Sequence, residues 1–157
     1  MKVAIWYIGK TNQAYLRTGE AIYEKRLKHY LPISVEVLPD IKNAGKMRPD
    51  QLKQKEGELV LGRLKNTDGL ILLDEAGKTF GSVEMSRWLD KQLQQPYGRL
   101  VFLVGGAFGF DQTVYQRANA KLSLSKMTFS HQMIRLFFLE QLYRSMTILR
   151  GEKYHNE

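Results

Sequence analysis

"VFLVGGAFGFD", residues 101–111, runs as an unbroken apolar segment into three glycines within five residues and restarts at Asp111, a residue type that caps helices. A short continuous apolar run bounded by turn residues is the pattern of a strand buried on both faces. The stretch therefore reads as strand, tight turn and helix start, the step from which parallel α/β sheets are built. Its glycines raise a second question, because that much backbone freedom at a strand end also suits close approach to a small molecule.

Outward from this unit the same alternation repeats. "KVAIWYI" at 2–8, "ISVEVL" at 33–38, "GLILLD" at 69–74, "RLVFLVG" at 99–105 and "KLSLS" at 121–125 read as strands. Helical spacing of apolar residues predicts helices over 12–30, with Tyr15, Leu16, Ile22, Tyr23, Leu27 and Tyr30 on one stripe, and over 50–65. Further helices are expected over 82–95 with Ser82 as N-cap, over 111–119 with Asp111 as N-cap, and over 131–149. The last carries Met133, Ile134, Phe137, Phe138, Leu142, Met146 and Leu149, a stripe that fits core or a subunit surface. The expected fold class is α/β, a five-stranded, mainly parallel sheet with helices on both faces, formed by residues 1–157 as one domain. In such sheets ligands sit beyond the carboxyl ends of the strands, so the loops after Asp74, Val104 and Ser125 are where chemistry is expected.

Composition narrows the function classes. The chain has 24 Lys and Arg against 16 Asp and Glu, a net charge of +8. Residues 1–65 hold 13 basic and 7 acidic residues, so the excess lies in the N-terminal part, with Lys42, Lys46, Arg48, Lys53 and Lys55 close together. That pattern suits a polyanionic partner such as RNA, and equally a solvated surface that keeps the chain soluble. The chain has no cysteine, and His29, His131 and His155 lack metal-ligand spacing, so no metal is expected. The apolar run Val3–Ile8 is too short for a signal-peptide core or a membrane span, and a soluble cytoplasmic protein is expected, with no membrane partner.

Two familiar motifs fail on inspection. "LLDEAGKT" ends like a phosphate-binding loop, but that pattern needs glycine where Leu72 stands. "VGGAFG" resembles a dinucleotide fingerprint, but glycine is missing at Val104 and no carboxylate follows at the distance a ribose would need. Phosphate ligands are disfavoured on both counts. A glycine turn with positive φ and no ligand remains open.

"LLDEAGK", "VGGAFGF", "SLSKMTFSHQMIRLFFLEQLYRSMTILRG" and the ending "KYHNE" together resemble the ribosomal RNA large subunit methyltransferase H family of the SPOUT class, over the whole chain. The resemblance implies a homodimer with a C-terminal trefoil knot that uses S-adenosyl-L-methionine to methylate N3 of a pseudouridine in the large-subunit rRNA of assembled ribosomes. It carries cofactor binding over to Leu73, Gly105, Leu124, Ser125, Lys126, Met127, Thr128 and Phe129, all in the three loops named above. Loops of Gly, Leu and Met without clustered cations suit an adenosyl group bearing a positive sulfur.

Removing the N3 proton calls for a base, or for donors that stabilise the deprotonated ring. His155 and Tyr154 in the tail are the implied candidates, with Arg135 as an RNA or carbonyl contact, Arg144 in a similar part, and His131 as a further site residue. Many relatives end in Tyr-His-Arg, whereas Asn156 follows His155 here; Lys153 is the nearest basic replacement. The competing class is a non-catalytic RNA-binding or ribosome-associated module, which the basic N-terminal part alone would serve.

Overall fold

The strands whose apolar runs are continuous take the middle of the sheet, because only there do both faces need covering. The computed structural model describes residues 1–156, and its strands are β1 (Lys2–Ile8), β2 (Ile33–Leu38), β3 (Asp68–Thr79), β4 (Arg99–Val104) and β5 (Ala120–Ser123). They lie in the order β2-β1-β4-β3-β5, and every pairing is parallel. The central three are the unbroken apolar runs. The edges are the alternating "ISVEVL" and the short β5.

Side chains alternate between two cores. Val3, Ile5 and Tyr7 of β1 and Leu100, Phe102 and Val104 of β4 face one core, covered by α1 (Ala14–Leu27), α3 (Ser82–Leu93) and α5 (Met133–Leu149). Ala4, Trp6 and Ile8 with Val101 and Leu103 face the other, under α2 (Pro49–Arg63) and α4 (Gln112–Arg117). At the amino ends of the strands, Arg99 grips the buried Asp68 carboxylate with two nitrogens, at 2.7 and 3.2 Å.

Several expectations shift in detail. Tyr15 and Ile22 are exposed, so the inward stripe of α1 is Leu16 and Leu27, with Tyr23 packed at its margin. The N-cap of α3 is Gly81, whose N–H is met by Glu84 at 3.3 Å, and Ser82 is the first helical residue. Asp111 does cap α4, accepting from Thr113 N at 3.2 Å.

The largest change is in β3, which continues past Asp74 to Thr79. Its pairing with β5 jumps from Leu73↔Leu122 to Lys78↔Leu122, so residues 74–77 bow out before the strand resumes. A Cβ on Gly77 would lie 2.8 Å from the Leu122 backbone. That contact is the physical reason for the glycine in "GKT". No phosphate is required to explain it.

Candidate functional site

The cleft at the carboxyl ends of β3, β4 and β5 is assembled from three loops, and its volume is about 610 Å³. The loop after β4 keeps its shape through internal contacts. A Cβ on Gly105 would stand 2.8 Å from the Phe110 ring, and one on Gly106 would stand 2.9 Å from the Glu56 carboxylate. Gly109 takes φ +82° and its N–H returns to Gly106 O at 3.3 Å, closing a tight turn. Each of the three glycines therefore has its own requirement. Gly105 is buried, and a side chain there would press on the core as well as on any ligand.

The loop after β5 is braced by two serines. Ser123 Oγ donates to Ser125 O at 2.7 Å, and Met127 N donates to Ser125 Oγ at 3.0 Å. Ser130 then accepts from Met133 N at 3.0 Å and starts the turn into α5. Of the residues expected to hold the cofactor, Leu73, Gly105, Leu124, Ser125, Met127, Thr128 and Phe129 line the cleft. Lys126 is exposed on the same loop and is not among the lining residues.

His131 also lines the cleft. Burial, and then the charge of Arg135, hold its pKa below the usual imidazole value, with Asp40 opposing, so the ring is neutral at neutral pH. Arg135 is corrected by the structure. Its guanidinium is fully buried and donates to Ile8 O (2.8 Å), Gly9 O (2.9 Å) and Thr11 Oγ1 (3.1 Å), which leaves it no route to RNA. It stands over the Tyr7 ring and ties α5 to the end of β1.

The tail docks against the other half of α5. Tyr154 stacks edge-on against Tyr143 with ring centroids 4.7 Å apart, and its hydroxyl donates to Glu140 at 3.0 Å. Burial, Tyr23 and Glu140 raise the Tyr154 pKa well above the usual phenol value, so the hydroxyl stays protonated. Arg144 pairs with Glu140 at 2.6 Å and lies 3.0 Å from His155 Nδ1. A guanidinium only donates, so Nδ1 is the acceptor in that pair. His131 and the tail pair thus meet opposite ends of α5. A second cavity, about 310 Å³, adjoins the cleft: it shares Leu124, Ser125 and Phe129 with it and includes Glu140.

Glu140 and Asp74 are site residues that sequence reasoning did not assign. Glu140 reads from spacing as a surface partner of Arg144, which it is, but its bond to Tyr154 depends on where the tail folds back. Asp74 lines the cleft with Oδ2 buried and without a hydrogen-bond partner. Its position at the end of an apolar strand was the available signal. Among the described residues no cluster of three or more His, Asp or Glu could hold a metal ion, and no helix is long and apolar enough to cross a membrane.

A parallel α/β sheet with a carboxylate-bearing cleft across its loop ends has the architecture of a small-molecule-binding α/β enzyme. The model of the family described as predicted SPOUT methyltransferase matches residues 1–155, and the chain belongs to that family. Among similar proteins is the ribosomal RNA large subunit methyltransferase H of Cytophaga hutchinsonii, 54% identical over 156 residues, covering 99% of this chain and 100% of the relative. Proteins of the same name from Parabacteroides distasonis and Flavobacterium johnsoniae are each 52% identical, over the full length of both chains.

Proposed function

We propose that this SPOUT methyltransferase takes a methyl group from S-adenosyl-L-methionine and places it on N3 of a pseudouridine in large-subunit (23S) rRNA. It acts as a homodimer on assembled ribosomes in the cytoplasm, with its C-terminal half threaded as the trefoil knot of the class. The observation that carries the reading is the cleft: a chain whose full-length relatives bear an rRNA methyltransferase name brings its three loop ends together around one cavity.

The donor set suits this cofactor. The lining holds Asp74 and Glu75 and no lysine or arginine. Two carboxylates would repel a phosphate and attract a sulfonium or ammonium group. When bound, the cofactor supplies an electrophilic methyl on a positive sulfur.

The chain's own residues do the rest. Leu73, Gly105 and 124–129 hold the adenosyl group through backbone and apolar contacts, fixing the line of attack. Neutral His131 at the cleft wall accepts the N3 proton. Tyr154 and His155, on the tail, stabilise the ring as the proton leaves, Tyr154 once its hydroxyl turns from Glu140 to a carbonyl oxygen of the base. Arg135 positions the start of α5.

Met127, Phe129, Met133 and Phe137 form an exposed apolar band beside the cleft, with Met127 74% exposed. The Phe129 and Phe137 rings lie 5.1 Å apart. Such a patch supports a dimer contact that places both sites near the interface.

Labelled methyl transfer tests the reading. Ribosomes lacking the modification should be labelled at the pseudouridine N3, and free rRNA should be a poorer substrate. No incorporation into either would remove the substrate assignment.

A further inference from the structure

A third cavity, about 370 Å³, lies between α1 and the β1–β2 edge of the sheet and shares no lining residue with the cofactor cleft. Tyr7 and Val37 are register partners on its floor, with Val35 beside them, and Glu20 and Glu24 project from successive turns of α1 above. Two polar atoms end here without a hydrogen-bond partner: the hydroxyl of Tyr7, which is 1% exposed, and Oε2 of Glu20, which is 9% exposed. The other Glu20 oxygen accepts from Thr11 Oγ1 at 3.1 Å. Burial raises the pKa of both groups. Lys10 and Arg17 also line the cavity.

These groups state what a ligand must bring. Leaving a buried polar atom unpaired costs about 1–3 kcal/mol, so a ligand with an N–H donor for Glu20 and a partner for Tyr7 relieves both. The valines offer an apolar wall for a flat ring, and Lys10 and Arg17 offset the charge of Glu20 and Glu24, so that a phosphate is not repelled here as it is from the cleft. A planar ring with adjacent N–H donors, joined to a phosphate, is a guanine nucleotide. Its N1–H and N2–H₂ form the donor edge that a carboxylate accepts, and they favour the ionised form that burial alone disfavours. Adenine presents an acceptor at N1, and cytosine presents one beside its single amino group.

We propose that this cavity binds an unpaired guanine nucleotide of the RNA substrate, a subsite that sets the register of the target base over the cleft. The proposal rests on the rRNA reading above. The two sites open at the same carboxyl edge of the sheet and are mechanically joined. Thr11, which bonds Glu20, also accepts from Arg135. Gln132, next to His131, accepts from Asn12 N at 2.8 Å and donates to Lys10 O at 3.2 Å. A nucleotide seated on Glu20 therefore braces the segment that carries His131.

The test uses the ¹⁵N-labelled full chain titrated separately with guanosine and adenosine monophosphate. Guanosine monophosphate should shift the amides of Tyr7, Thr11, Glu20 and Val37, with adenosine monophosphate about tenfold weaker. Glu20→Gln keeps an acceptor for Thr11 but turns a donor toward the base. It should lose about tenfold in guanosine monophosphate affinity and raise the ribosome KM, with S-adenosylhomocysteine binding kept. Val37→Asp, at an exposed strand edge, should weaken the same titration without a buried change. Equal response to both nucleotides, no shift at these amides, or response to arginine amide in place of the nucleotide would overturn the proposal. If wild-type protein fails to methylate ribosomes while the guanosine titration holds, the substrate reading falls and the nucleotide pocket stands.

Discussion

In the loop 105–110 the contacts run between bare backbone and neighbouring side chains: the Phe110 ring fills the place of a Gly105 Cβ, and the Glu56 carboxylate fills that of Gly106. Beyond Gly151 the tail is held chiefly by side chains, through Tyr154 on Tyr143 and Glu140 and His155 against Arg144. The difference separates two tasks. A cofactor slot is a matter of shape and is best built from the fold itself, whereas the groups proposed to stabilise the deprotonated base are specific polar side chains that can sit on a short segment. One helix serves both, since α5 anchors the cleft wall through Arg135 and the tail through Glu140, Tyr143 and Arg144.

That shared root gives the largest expected effect. Arg135→Met would strand the carbonyls of Ile8 and Gly9, and should cost about 3 kcal/mol or more in urea denaturation, with cofactor binding and transfer falling together. A loss below about 1 kcal/mol would show that α5 is anchored elsewhere.

Deleting the chain from Tyr154 onward separates the two regions. Methyl transfer should drop by about a hundredfold or more while calorimetry finds cofactor binding largely kept. Full activity in the truncated protein would sink the role given to Tyr154 and His155.

Gly105→Ala should cost about 1–3 kcal/mol through contact with the Phe110 ring, along with some cofactor affinity. Adding Phe110→Leu should return part of the stability. If thermal melting shows no rescue, the glycine is kept for the ligand alone and the contrast with the tail narrows.

The smallest effect is a pH slope. Burial, and then the charge of Asp40, push the Glu56 carboxyl from 4.5 up to about 7. The folded protein binds that proton more tightly than the unfolded chain, so the contribution is full below the unfolded value and is lost as pH rises through about 7. Glu56→Gln should therefore gain stability relative to wild type as melts are taken from about pH 5 to about pH 8. A constant difference across that range would place the carboxylate's proton elsewhere.

Much of the fold was legible because each signal was local. Strand runs such as 33–38 appear at the expected residues, and the continuous apolar runs at 69–74 and 99–105, read as buried strands, lie inside the sheet. The extension of β3 was not legible, since residues 74–79 are mostly polar or small and pair with β5 only after a four-residue bow. Arg135 was misjudged for a related reason. An arginine on a helix normally faces water, and only the carbonyls at the end of β1, more than 120 residues earlier, turn it inward. The three loop ends were placed by the strand pattern, and seven of the eight residues expected there line one cleft.

By itself, then, the sequence determined the βα alternation, the parallel class, the three loop ends and, through family resemblance, the chemistry to expect of them. Tertiary structure alone decided why each glycine of 105–109 is a glycine, that Gly77 serves a backbone contact, that Arg135 is a strut, and that His155 stands against Arg144. Periodicity and composition act within a few residues along the chain. These last features depend on groups brought within 3 Å or so across the fold, which no local pattern encodes.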